Sequence, residues 1–223
     1  MKKTALRPIG VKSTGNRIIA KVGVVKTIDL VQERVHQTQR GCIPGRSHHD
    51  SLRNLSDRFQ QALLDGDDHF ILSIDFAAAF DSVDHQFIMA ALEHHGYPAW
   101  FIGLARALMT DASAVPVASG RRGLDPILLL RGIMQGCAVS VILFLLVMNI
   151  LNLRILDPLH HTPQLQLQSY VDDNAMDTPN LGDLLNTMRV TDTFCLYSAM
   201  NVHPTKTALI AARPSPFLLQ WIQ

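Results

Sequence analysis

Two adjacent carboxylates, Asp172 and Asp173, follow an aromatic residue in the run Gln168-Ser169-Tyr170-Val171-Asp172-Asp173. Like charges side by side repel, and a dry site raises their pKa values unless a cation is shared between them. A hard divalent ion such as Mg²⁺ accepts carboxylate oxygens and keeps its other positions for water and phosphate. A lone Asp, Asp75, ends the apolar run Phe70-Ile71-Leu72-Ser73-Ile74 nearly a hundred residues earlier. An Asp-Asp pair alone is more often a solvated surface turn, so the surrounding elements must decide between the two readings.

The alternation Leu165-Gln166-Leu167-Gln168 predicts a half-buried strand running into the pair. Asn174 and Asp177 suit a tight turn into a second short strand, which would set the pair at a hairpin tip. Residues 69–75 predict a strand ending in Asp75. Around these, helical spacing runs from Ile18 to about His36, and again through Leu52, Leu55, Phe59, Ala62 and Leu63 after a cap at Ser47 or Asp50. Ser82 is the expected cap of a helix that stops at Gly96. Pro98 suits the first turn of the next helix, which should reach about Met109. A hairpin is expected around Gly120-Arg121-Arg122-Gly123, and a buried helix from Gly136 to about Leu153. Asn180 with Asp183 has capping-box spacing for a helix to about Tyr197, and residues 207–212 close with a strand. This β-α-α-β order with a central hairpin differs from the regular alternation of a doubly wound sheet and predicts an α+β fold.

Asp75, then Gln135-Gly136-Cys137-x-x-Ser140 opening a helix, then Tyr170-Val171-Asp172-Asp173, in that order, resembles the reverse transcriptase family. The LINE-type, non-LTR retrotransposon enzymes are nearest, and group II intron reverse transcriptases next. Arg7-Pro8-Ile9-Gly10-Val11 and Gln39-x-Gly41-Cys42-Ile43-Pro44-Gly45-Arg46-Ser47 resemble the family's fingers motifs. Ser198-Ala199-Met200-Asn201 with Lys206-Thr207 resembles the motif after the catalytic hairpin, so matches run from about residue 7 to about residue 210.

The resemblance implies a right-hand polymerase palm whose antiparallel sheet carries the hairpin and packs on helices. Residues 1–68 would be partial fingers and 69–223 palm, with fingers elements returning around 113–135. It implies an RNA template, a DNA primer and deoxynucleoside triphosphates as partners, and two Mg²⁺ ions (Mn²⁺ as the alternative) that neutralise the attacking and leaving oxygens. Asp75, Asp172 and Asp173 would hold the metals, with the Phe76 carbonyl as a further ligand. Phe80 would lie under the sugar and reject a 2′-hydroxyl, although core packing accounts for it equally. Gln135 and Gly136 match the nucleotide-pocket motif, where close backbone approach favours Gly; Gln135 alone is also an ordinary turn residue. Arg7 and Arg46 are candidates for triphosphate or template phosphate beside the plain reading of surface arginines. Lys206 matches the lysine proposed to protonate departing pyrophosphate, and Tyr170 would abut the primer end. Cys137 and Ser140 suit local packing and capping.

The chain departs from the family pattern at Ala78, where Lys or Arg is usual, at Ala138 and Val141, where prolines are usual, and at Val171, where Ala is commoner. It ends soon after Lys206, so no thumb is expected, nor an endonuclease or zinc knuckle. A truncated, nucleic-acid-binding remnant without polymerase activity of its own is therefore the alternative function.

Composition agrees with a folded, buried core: 48% of the 223 residues are hydrophobic. Three well-separated cysteines and no C-x-x-C spacing suggest a reducing, intracellular setting, nuclear or cytoplasmic. No signal peptide is visible, and the run Val141 to Val147 reads as a buried helix too short for a bilayer, so no membrane partner is expected. Net charge is only +1, but it is unevenly placed. Residues 1–46 hold ten Lys or Arg against two acids, a net +8 suited to gripping phosphates, and the remainder carries −7.

Overall fold

A computed structural model describes residues 13–47, 49–115, 117–118, 121–123 and 125–213. The described elements are, in order, α1 (Thr14–Arg34), α2 (His49–Asp65), β1 (Phe70–Ile74), β2 (Phe76–Ala77), α3 (Ala79–Ser82), α4 (His85–His94), α5 (Ala99–Met109), β3 (Ser113–Ala114), β4 (Val117–Ala118), β5 (Arg121–Arg122), β6 (Ile127–Leu128), α6 (Ala138–Ile155), β7 (Gln166–Tyr170), β8 (Asp173–Thr178), α7 (Leu181–Ser198), β9 (Asn201–Val202) and β10 (Ala208–Ala211). The chain divides into two compact units, residues 1–34 with 78–147 and residues 35–77 with 148–223.

The second unit is built on an antiparallel sheet in the order β10-β1-β8-β7. Side chains alternate faces along each strand. One face buries Leu72, Ile74, Met176, Asn174, Leu167 and Ser169. α7 meets this sheet through β1 and β8. The opposite face carries Ser73 and Tyr170, both exposed. At one end of that face α2 covers Asp177, whose carboxylate takes Arg58 Nε at 3.0 Å and His69 Nε2 at 3.1 Å. Asn174 and Asp177 were expected in the turn; both lie within β8, paired with Ser169 and Gln166, because the turn needs only Val171 and Asp172. Gly66, at φ 72, ends α2, and the Asp67 amide closes on the Ala62 carbonyl at 3.0 Å. Asn180 caps α7 by accepting the Gly182 amide at 2.7 Å. Asp183 does not complete a capping box. Its oxygens take the amide and hydroxyl of Thr162 and the hydroxyl of Thr178 instead.

In the first unit, Gly23 lets α1 lie against α5: a Cβ there would stand 2.7 Å from the Leu104 side chain. α1 buries Ala20, Gly23, Thr27 and Val31 and leaves Ile18, Ile19, Val22 and Val25 exposed, so small residues rather than the large apolar ones mark its packed face. Asp84, not Ser82, caps α4, accepting the Gln86 and Phe87 amides at 2.7 and 3.2 Å; Ser82 ends the separate short helix α3. β4 pairs with β5 and β3 with β6, which is the expected hairpin, but Arg121 and Arg122 lie in a strand and not at its tip. α6 has the length and apolarity of a membrane-crossing helix, longer than the sequence run suggested. Its residues Phe144 to Met148 are fully buried within the protein, as are Asn149 and Asn152. The strand expected at residues 7–11 lies outside the described residues.

Candidate active site

Asp75 stands where β1 gives way to β2. Its amide donates to Thr207 Oγ1 at 3.2 Å, and its carbonyl accepts the His203 amide at 2.7 Å. The segment 203–207 is thereby fastened to the strand end, and it delivers Lys206 Nζ to 3.3 Å from Asp75 Oδ2. Ile74 pairs with Asn174 in the neighbouring strand. One step further along both strands sets Asp75 beside Asp173, on the face that carries Ser73 and Tyr170. Tyr170 pairs with Asp173 across the hairpin and is 44% exposed. Asp172 occupies the turn between them, half-buried.

The electrostatics follow from this crowding. The Asp173 carboxyl is held above the usual carboxylate range, first by partial shielding from water and then by the charges of Asp172 and Asp75; Lys206 pulls the other way. Asp75 Oδ2 is buried and makes no hydrogen bond among the described residues, and the Lys206 ammonium stands 3.3 Å from it. Buried lone pairs without a donor and mutually repelling carboxylates, all oxygen, suit a hard divalent cation. Among the described residues, no group of three or more His, Cys, Asp or Glu side chains is gathered closely enough to hold a metal ion by itself.

The hairpin is held from beneath by residues whose bracing part the sequence did not indicate. The buried Gln39 side chain accepts the Val171 amide at 2.8 Å and donates to the Val171 carbonyl at 3.1 Å. Asn174 donates to the Asp172 carbonyl at 3.2 Å and accepts the Ser169 hydroxyl at 2.5 Å. Gly41 was the available signal: a Cβ there would stand 2.6 Å from the Val171 amide nitrogen, a close approach that only Gly allows. Arg46 donates to the carbonyls of Val35, His36 and Gln39 at 2.8–2.9 Å and so orders the segment that carries Gln39. The Phe76 side chain is buried edge-on against Phe194.

A second group assembles within the other unit. The Gly132 amide donates to the Val83 carbonyl and the Ile133 amide to the Phe80 carbonyl, so the Gln135-Gly136 motif runs beside Phe80. A Cβ on Gly132 would stand 2.5 Å from the Asp81 carbonyl oxygen. Gln135 Nε2 lies 3.4 Å from Asp81 Oδ1, and Gly136 has φ 93. Phe80 is half-buried and stacks on Phe144 with ring centroids 4.1 Å apart, a partner the sequence did not single out. Ser140 Oγ donates to the Met134 carbonyl at 2.6 Å, the local capping expected of it. Arg7 lies outside the described residues.

An α+β fold with carboxylates at the tip of an antiparallel hairpin, beside a strand-end Asp, is palm-like and of the reverse transcriptase kind. The family model described as reverse transcriptase (RNA-dependent DNA polymerase) matches residues 1–219, and the chain belongs to that family. It is 26% identical over 208 residues to the Transposon TX1 uncharacterized 149 kDa protein of Xenopus laevis, covering 91% of this chain and 16% of that protein. It is 28% identical over 154 residues to the retrovirus-related Pol polyprotein from the type-1 retrotransposable element R2 of Popillia japonica, covering 67% of this chain and 25% of that one. The chain thus spans a quarter or less of the length of these relatives. Both are proteins of transposable elements, in agreement with the LINE-type motifs. Solved telomerases share the fold. One from Candida tropicalis, in complex with a fragment of telomeric RNA, has a TM-score of 0.62 at 14% identity, covering 90% of this chain and 34% of that one. One from Candida albicans has a TM-score of 0.58 at 16% identity, covering 91% and 35%.

Proposed function

We propose that this chain carries the catalytic core of a retroelement RNA-directed DNA polymerase, which adds deoxynucleotides to a primer 3′ end on an RNA template. The observation that supports the reading is Asp173 beside Asp75 at one end of a single sheet, with Asp172 next to it in the turn and Lys206 Nζ 3.3 Å from Asp75 Oδ2. Asp75 and Asp172, with Asp173 third and the Phe76 carbonyl in support, would hold two Mg²⁺ ions, or Mn²⁺ in their place. Bound there, the ions would supply charge neutralisation at the attacking and leaving oxygens. Lys206, with Nζ 3.3 Å from Asp75 Oδ2, is the proposed proton donor to departing pyrophosphate. The exposed Tyr170 offers a surface for the primer end. Phe80, braced by Phe144, is the proposed gate against a ribose 2′-hydroxyl, with Gln135 and Gly136 lining the nucleotide pocket. Arg7 and Arg46 are the proposed phosphate contacts. In this reading residues 1–68 belong to partial fingers and 69–223 to the palm, with fingers elements returning around 113–135.

The test is primer extension on an RNA template with Mg²⁺, run with residues 1–223 and with a longer polypeptide that contains them. Extension abolished by Asp172→Asn, in either form, supports the reading. Salt-dependent template binding with no extension by any form would favour the alternative, a nucleic-acid-binding remnant.

A further inference from the structure

The turn that carries Asp172 depends on a residue ill suited to its conformation. Val171 has φ 59, and a β-branched side chain in that region crowds its own backbone. Such a conformation persists only where the surroundings impose it, and it concentrates at functional sites. Here one side chain holds both polar backbone groups of the strained residue. Gln39 Oε1 accepts the Val171 amide at 2.8 Å and also the Gly41 amide at 3.0 Å, while Nε2 donates to the Val171 carbonyl at 3.1 Å. Gln39 is fully buried, so water does not compete for these bonds. Its own backbone is fixed in turn. Arg46 donates to its carbonyl at 2.9 Å, the Arg40 amide reaches the Ser169 carbonyl at 2.8 Å, and the Ser169 amide reaches the Thr38 carbonyl at 3.1 Å. The carboxamide grips both polar groups of one residue, as a neighbouring strand would.

We propose that Gln39 is the positioning residue of the catalytic hairpin: its carboxamide clamps Val171 in the left-handed conformation and so aims Asp172 and Asp173. The proposal rests on the reading of those two carboxylates as metal ligands. A Gly or Asn at the turn would reach this conformation unaided, whereas Val needs the clamp. Displacing the carboxylates by about 1 Å is enough to cost ~10²-fold in rate. Gln39 touches no reacting atom, and its effect passes through the backbone of Val171.

The experiment compares the wild type, Gln39→Ala, Val171→Gly and the double variant by two readouts. The first, amide hydrogen exchange at Val171, needs no metal and no activity. The second is Mn²⁺ affinity from the electron paramagnetic resonance of unbound Mn²⁺. In Gln39→Ala the Val171 amide should exchange at least ~10-fold faster while β1 and β8 stay protected. Mn²⁺ should bind roughly 10-fold or more weakly, the usual range for losing a group that orients ligands. Adding Val171→Gly should restore the affinity to within about threefold, because Gly adopts positive φ without help. Gln39→Asn, which keeps the carboxamide but draws it back by one methylene from Val171, covers the case in which Gln39→Ala does not fold, and intermediate affinity is expected. Wild-type exchange and affinity in Gln39→Ala or Gln39→Asn overturns the clamp, as does a loss in Gln39→Ala that the glycine does not repair. Faster exchange at Val171 in a protein that binds no Mn²⁺ even as wild type would uphold the clamp and remove the catalytic reading instead.

Discussion

Lys206 Nζ stands 3.3 Å from Asp75 Oδ2, and this ammonium is what offsets the negative charge at the end of the sheet. Asp173 feels it as the one influence that opposes burial, Asp172 and Asp75. Lys206→Met should therefore push the Asp173 carboxyl further up, and Asp172→Asn should bring it down. Carbon-detected NMR titration of the side-chain carboxyls reads both shifts. An Asp173 titration indifferent to Lys206→Met would mean that the lysine is not part of the cluster in solution.

The same crowding has a consequence for stability. A carboxyl with a raised folded-state pKa keeps its proton to higher pH in the native state than in the unfolded chain. Native stability thus falls as pH rises through that interval. Asp173→Asn should then raise the melting temperature at pH 7.5 and leave it little changed near pH 3. Asp173 is an exposed residue, so the gain is small, under about 1 kcal/mol or ~2–4 °C. Saturating Mg²⁺ should raise the wild-type melting temperature and should do less for Asp173→Asn. Equal melting temperatures for both proteins at pH 7.5 would show that no repulsion is stored at the site.

Asp177 is fully buried under α2 with Arg58 Nε 3.0 Å away. Burial drives its carboxyl upward, and Arg58 and His69 partly restore the charged form. Arg58→Met leaves a buried carboxylate short of its cation. The expected cost is about 3–5 kcal/mol, or roughly 6–20 °C in melting temperature. Arg58→Met with Asp177→Asn should recover much of that, since no charge then remains to be neutralised. Chemical denaturation measures both, and a loss below about 1 kcal/mol for the single variant would count the pair as a surface interaction.

Phe80 packs on Phe144 with rings 15° from parallel, which fixes the plane of any surface it presents. In an active polypeptide, Phe80→Val should relax discrimination against ribonucleotides and leave deoxynucleotide incorporation largely intact. Phe144→Leu should relax it more weakly, by loosening the brace. Unchanged discrimination in Phe80→Val would leave the ring as core packing alone.

The covalent order of the chain was sufficient for much of this. Apolar alternation before Tyr170 and the apolar run before Asp75 mark strands whatever their neighbours are, because a two-residue period is a local property. Gly66 and Pro98 punctuate helices for equally local reasons. The motif order from Asp75 through Gln135 to Asp172 was enough to indicate the family. What local pattern could not supply is which partner satisfies which group. Asn174 and Asp177 have turn-forming side chains, yet strand pairing with β1 and β7 claims both, and burial then turns one into a brace for the turn and the other into an ion pair. Lys206 reaches Asp75 only because Thr207 and His203 are tied to the end of β1, 132 residues away in the case of Thr207. Gln39 is equally distant from Val171, and nothing in its sequence neighbourhood says that its carboxamide will hold a strained residue there. Such bonds depend on where distant segments come to lie, and burial makes them strong by excluding the water that would otherwise replace them.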